Sequence, residues 1–196
     1  MIDTTATEAK RPAALSHRCW LAQTQQRAFR QLLSAFSYPG QIVSLGGEPE
    51  QALTLALATL IDGSVGLCDL HGLISIDDRR RLGCTMTAAE AAQFVVVDAG
   101  QFTEFQPSLG SLESPEHGAT LLLRAYPEES KTVLRLTGPG INGERILTVA
   151  GVHPEWWSQR KLWNRAFPLG ADMIILTGDQ LLAIPRTIRV LPVEER

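Results

Sequence analysis

The chain is short of lysine: of its 18 basic residues only Lys10, Lys131 and Lys161 are lysines, and the rest are arginines. A Schiff-base enzyme needs a lysine desolvated in a pocket, and these three stand in the leading segment, a polar turn and a helix among polar neighbours. Cysteine is scarce as well. Cys19, Cys68 and Cys84 form no CxxC pair and share no ligand-like spacing with His17, His71, His117 and His153, so they read as core thiols in a reducing cytoplasm rather than as metal ligands or nucleophiles. The scattered histidines assemble no triad and accompany no serine elbow. No apolar run reaches the roughly 18 residues of a membrane span. A formal charge of -3 and a pI near 5.8 provide no basic field to gather nucleic acid or anionic lipid. A cytoplasmic protein with neither nucleic acid nor a membrane as partner is expected. The opening MIDTTATEAKRP lacks the apolar segment of a signal peptide, which leaves residues 1–16 as an expected disordered tail and 17–196 as a single domain.

What is present alternates between helix and strand. QTQQRAFRQLLSAFS places Phe29, Leu32, Leu33 and Phe36 at the spacing of one helical face, and Tyr38-Pro39-Gly40 ends it before the strand QIVSL. QALTLALATLID reads as a buried helix entered near Pro49, and SVGLCDL as a compact strand. IDDRRR reads as a solvated face or loop, TAAEAAQ as a short helix, and FVVVDAG as a strand buried on both faces. Residues 101–118 are mostly loop and could cover a pocket. ATLLLRAY and KTVLRLTG, joined by PEES, predict an antiparallel hairpin. PEWWSQRKLWNRAF predicts an amphipathic helix using Trp156 or Trp157, Leu162, Trp163 and Phe167. ADMIILTGDQLLAIPRT carries Gly178-Asp179, suited to a tight hairpin. The expected fold is α/β: a single domain with a mixed β-sheet flanked by helices.

The glycine-rich LTGPGINGER invites comparison with a phosphate cradle. It lacks GK[ST] and GxGxxG, Pro139 removes a backbone donor, and strand-like ILTVAG follows where a helix would be required. It reads instead as a turn at a strand end, shaping a subunit surface or shallow pocket. FPLGAD reads as a C-capping loop in which Gly170 takes an unusual angle and Asp172 opens a strand. In IPRT, Arg186 follows Pro185 and should project its guanidinium from a sheet edge or end.

FRQLLSAFSYPG, LRLTGPGI and FPLGADMIILTGDQLLAIPRT, in this order and spanning most of the chain, resemble the H subunit of the bacterial carbon-phosphorus lyase core complex. The matching positions are Arg30, Pro39, Gly40, Arg135, Gly138, Gly140, Phe167, Pro168, Gly170, Asp172, Pro185 and Arg186. The tail and the PEHGAT loop depart from the pattern. The resemblance implies a subunit of α-D-ribose 1-methylphosphonate 5-triphosphate synthase. That assembly transfers the triphosphoribosyl group of MgATP to a phosphonate with loss of adenine. It further implies G, I and J subunits as partners, a homodimer in isolation, and a fold similar to the large domain of PLP-dependent transferases without the cofactor site. This chain would then bind no cofactor, MgATP being a substrate of the complex, and would carry no catalytic or metal-ligating residue. Arg30, Arg135 and Arg186 become the candidate hands for a phosphonate or nucleotide phosphate.

Two other readings compete. A self-sufficient α/β enzyme acting on a phosphorylated small molecule would turn over as the purified chain alone. A ligand sensor would bind tightly without a stable partner.

Overall fold

The computed structural model describes residues 17–127 and 130–193. The expected tail, residues 1–16, lies outside them. A sheet of seven strands runs through the molecule in the order β1 (Ile42–Ser44), β9 (Gln180–Ile184), β8 (Asp172–Thr177), β5 (Thr120–Ala125), β4 (Phe94–Asp98), β2 (Gly66–Asp69), β3 (Thr85–Met86). From β8 to β3 all neighbours are parallel; β9 runs antiparallel to both β8 and β1. The mixed α/β sheet expected from the sequence is therefore present, with the Gly178-Asp179 hairpin joining β8 to β9.

One face of this sheet is covered by α1 (Ala22–Ser37), α2 (Ala52–Leu60) and α3 (Ile76–Leu82), which pack Leu32, Leu55, Leu57 and Leu82 against Val96, Leu122, Ile174 and Leu181. The other face carries α4 (Glu155–Trp163) and a separate three-stranded antiparallel sheet of β10 (Arg189–Val193), β6 (Lys131–Thr137) and β7 (Arg145–Ala150). Consecutive core residues point to opposite faces of a strand. Thus Leu121 and Leu123 join the α4 side while Leu122 joins the α1–α3 side.

The predicted β5–β6 hairpin does not form. Leu121, Leu122 and Leu123 are all fully buried, so β5 needs cover on both faces and takes parallel neighbours on both edges. In β6 burial is confined to one face, at Leu134 and Leu136, which suits a thin outer sheet and not the centre of the large one. IDDRRR, expected as a solvated face or loop, is α3, a helix that exposes Asp77, Arg80 and Arg81 and buries Asp78 and Leu82. Ser75 caps it by accepting from the Asp78 amide at 3.1 Å, and Gly83 closes it at φ 64°. Its acids occupy the first turn and its arginines the last, complementing the helix dipole. TAAEAAQ forms a turn instead of a helix. Its closing Gln93 spends its side chain accepting from the Gly66 amide at 2.5 Å, and Thr87 Oγ1 makes no hydrogen bond of the capping kind that starts the equally short α3.

The helical faces also need correction. In α1 the buried stripe is Ala28, Leu32 and Ala35, leaving Phe29 and Leu33 exposed. In α4 the tryptophans Trp156, Trp157 and Trp163 turn inward while Leu162 and the later Phe167 face solvent. The Trp156 indole donates to the Ala99 carbonyl at 3.1 Å, and its ring meets Phe102 edge-on at 5.1 Å and Trp163 at 6.4 Å. These tryptophans are core, not interface.

Two outcomes check this packing. Trp156→Ala should lower unfolding free energy by about 3–5 kcal/mol in urea titrations, while Leu162→Ala stays within about 0.5 kcal/mol. Burial raises the Cys19, Cys68 and Cys84 thiols above their ordinary pKa. The folded state then holds these protons more tightly, so stability is lost as pH rises past the unfolded thiol value. A thiol reagent at pH 7.5 should react with all three far more slowly in the native protein than in urea.

Candidate functional site

The segments FPLGAD and IPRT meet around Arg186. Its main-chain amide donates to Asp172 Oδ1 at 2.6 Å, and its Nε and Nη2 donate to Asp172 Oδ2 at 3.2 and 2.7 Å. Nη1 and Nη2 reach the carbonyls of Pro115 and Gly118 at 2.7 and 3.3 Å. Both side chains are mostly buried, at 14% and 17% exposure. The guanidinium therefore does not project from the sheet edge, as Pro185 suggests; it turns inward. Asp172 stands at the first position of β8, where its carboxylate can receive it.

Neighbouring groups complete the arrangement. Asn164, just past α4, pairs in both directions with the Ala171 backbone, at 2.8 and 3.2 Å. Gly170 holds φ 151°, and a Cβ there would collide with Asn164 Oδ1. Arg160 is buried at 3% exposure and donates to the carbonyls of Ile188 at 3.0 Å and Pro185 at 2.6 Å. Burial pushes its pKa down to about 10, although the nearby Asp172 charge works in the opposite direction. Phe167, in cis linkage to Pro168, is exposed beside this knot.

The second meeting point joins the YPG turn to TGPG. Gly140 comes so close to the first turn that a Cβ would stand 2.5 Å from the Ser37 carbonyl oxygen and 2.8 Å from Pro39 Cδ. Gly40 faces Arg145 and Leu136, and Gly138 faces Thr187 and Ile188 beyond IPRT. TGPGINGER is the β6–β7 connection, a turn as the sequence indicates. These glycines mark places where one backbone passes against another.

The three candidate arginines do not share a site. Arg186 is spent on Asp172 and two carbonyls. Arg135, on the outer face of β6, pairs with Glu144 at 3.5 Å. Arg30 lies exposed on α1 beside Phe29 and Leu33. What the sequence reading missed stands at the carboxyl ends of parallel β2 and β4, the edge where such sheets place ligands. There the fully buried Asp69 carboxylate accepts from Arg79 at 2.6 Å and from the Leu73 and Ile74 amides. His71 Nδ1 accepts from the Asp98 amide at 2.9 Å, which leaves the proton on Nε2 to donate to Thr103 Oγ1, also at 2.9 Å. Both groups are satisfied within the chain and hold loops in place. Among the described residues no cluster of three or more His, Cys, Asp or Glu could hold a metal, and no helix is long and apolar enough to cross a membrane.

Stability measurements separate anchoring from ligand holding. Arg186→Gln strands a largely buried carboxylate and should cost about 3 kcal/mol, whereas Arg30→Gln and Arg135→Gln should each stay within about 0.5 kcal/mol. Urea unfolding of the isolated chain, without any ligand, checks both.

Comparison with known proteins agrees with these ordered segments. The family model described as bacterial phosphonate metabolism protein (PhnH) matches residues 18–191. A putative C-P lyase subunit protein, HtxG of Stutzerimonas stutzeri, is 47% identical over 182 residues, covering 93% of each chain. The alpha-D-ribose 1-methylphosphonate 5-triphosphate synthase subunit PhnH of Rhizobium meliloti (strain 1021) is 28% identical over 182 residues, covering 84% of this chain and 89% of that one. With its motifs tied into one framework and matched from Arg18 to Leu191, the chain belongs to the PhnH family of bacterial phosphonate metabolism proteins.

Proposed function

We propose that this protein is a subunit of a carbon-phosphorus lyase assembly in phosphonate catabolism. It would be required for transfer of the triphosphoribosyl group of MgATP to a phosphonate, with loss of adenine, and would contribute structure rather than reacting groups. Family membership supplies the process. The observation that carries the structural role is the outward face of α1: Phe29 and Leu33, one turn apart, are 51% and 57% exposed, and Tyr38 just beyond is 58% exposed. Large apolar side chains gathered on one helix face are what an interface covers. Arg30 stands three residues before Leu33 and the helix bears no acid, which fits a partner surface with an apolar centre and a carboxylate rim.

On this reading the G, I and J subunits are the partners, and a homodimer is the form of the chain on its own. The family resemblance, and not the geometry, suggests a fold related to the large domain of PLP-dependent transferases; Lys131 and Lys161 are exposed and lack the desolvated setting a Schiff-base lysine needs. Co-expression of the tagged chain with the other subunits of its operon should yield one stoichiometric assembly of high native mass. Phe29→Asp combined with Leu33→Asp should abolish co-purification while leaving the far-UV circular dichroism of the isolated chain unchanged. Turnover of MgATP and a phosphonate by the purified chain alone would contradict the proposal.

A further inference from the structure

A cleft of about 200 Å³ opens on the side of α1 away from Phe29 and Leu33, between that helix, the 3-10 turn His17–Trp20 and the loop after β1. Its wall contains Arg18, Arg27 and Thr24, closed on the far side by Gly46, Gly47 and Glu48. Thr24 and Arg27 are three residues apart on α1 and so share a face. Neither arginine has a carboxylate within ion-pair distance among the described residues. Two guanidiniums against the single carboxylate of Glu48 leave the cleft with net positive charge in a chain whose overall formal charge is -3.

The glycine side gives the cleft a wall of bare backbone. Gly46 and Gly47 hold φ values of 75° and 94°, and a Cβ on either would meet nothing within 4 Å. Loss of these side chains leaves room, and the positive φ values keep larger residues out. The floor is fixed, since the Cys19 thiol donates to Gln51 Oε1 at 3.5 Å. Pockets for whole drug-sized ligands occupy about 300–1,000 Å³. This one admits a compact group and leaves the remainder of any larger molecule outside. A second cleft, near the ends of β5 and β8, has a single cation, Arg124, already stacked 5.4 Å over Tyr126, with Glu50 in its lining. It has no comparable excess of charge.

We propose that the Arg18–Arg27 cleft binds a tetrahedral phosphoryl or phosphonyl dianion. Arg18 and Arg27 would supply charge-assisted, fork-like donors, and Thr24 a hydroxyl. This site is separate from the three family-pattern arginines, and it does not depend on whether the chain enters an assembly.

Titration of the full chain by isothermal calorimetry tests it, with inorganic phosphate, methylphosphonate and ribose 5-phosphate as probes and potassium chloride at matched ionic strength as the reference. Saturable binding of phosphate or methylphosphonate is expected, weakened at least tenfold by Arg18→Gln or Arg27→Gln and unchanged by Arg30→Gln. If ribose 5-phosphate binds more tightly than inorganic phosphate, the group belongs to a larger metabolite; equal affinity assigns it to the free anion. Absence of saturable binding, or binding that both arginine variants retain, overturns the proposal. The Arg30→Gln control guards against reading a general loss of positive charge as a site.

Discussion

The pairing of Arg186 with Asp172 is the constraint on which the arrangement of the family segments depends. One guanidinium gathers the carboxylate at the start of β8, the end of the β9 segment and the carbonyls of the 115–118 loop. Four donated side-chain bonds in a largely dry setting leave little capacity for an external anion. Arg160 reinforces the same corner from α4 by holding the carbonyls of Pro185 and Ile188. Buried charge of this kind is costly to desolvate, and here the surrounding carbonyls and the carboxylate offset that cost. The ordered chain at 184–188 then presents Thr187 and Ile188 to Gly138, which carries the framework on to the TGPG turn and to Pro39.

The molecule consequently separates two kinds of arginine. Arg160 and Arg186 are inward and structural, whereas Arg18, Arg27 and Arg30 lie exposed on the surface. A protein with many arginines and few lysines can serve both purposes, because guanidinium remains charged when buried and forks onto carbonyls and oxyanions alike. The apolar stripe of α1 belongs to the exposed set. Its exposed Phe29 and Leu33 flank the buried Ala28, Leu32 and Ala35, so the apolar face of the helix is wider than the core covers, as a helix packed inward along one stripe and bound by a partner along its edge would be.

Much of this architecture was legible in the sequence. FVVVD announced a doubly covered strand, and Gly178-Asp179 between two apolar runs announced the last hairpin, because unbroken apolar runs and left-handed turn residues have few alternative uses. The PEES link misled because local spacing cannot report which sheet a strand joins; only the full burial of three successive leucines in β5 decides that. IDDRRR is a solvated face, as its charge suggested, but on a helix and not a loop, for which Ser75 and Gly83 carried the start and stop signals. The partners of Arg186 were beyond sequence reasoning, since Pro115 and Gly118 lie 71 and 68 residues away in the chain. The same holds for the cleft at Arg18 and Arg27, which exists only once α1 and the 46–48 loop are packed side by side.

The most direct test of the central claim is hydrogen–deuterium exchange of the native chain compared with Arg186→Lys. If one guanidinium ties these segments together, amides at 115–118, 170–172 and 184–188 should all lose protection in the variant while α2 keeps its own. Lys keeps the charge but cannot span the carboxylate and both carbonyls with one planar fork. Loss of protection confined to 184–188, with the other two segments unchanged, would contradict the account and reduce Arg186 to a local contact.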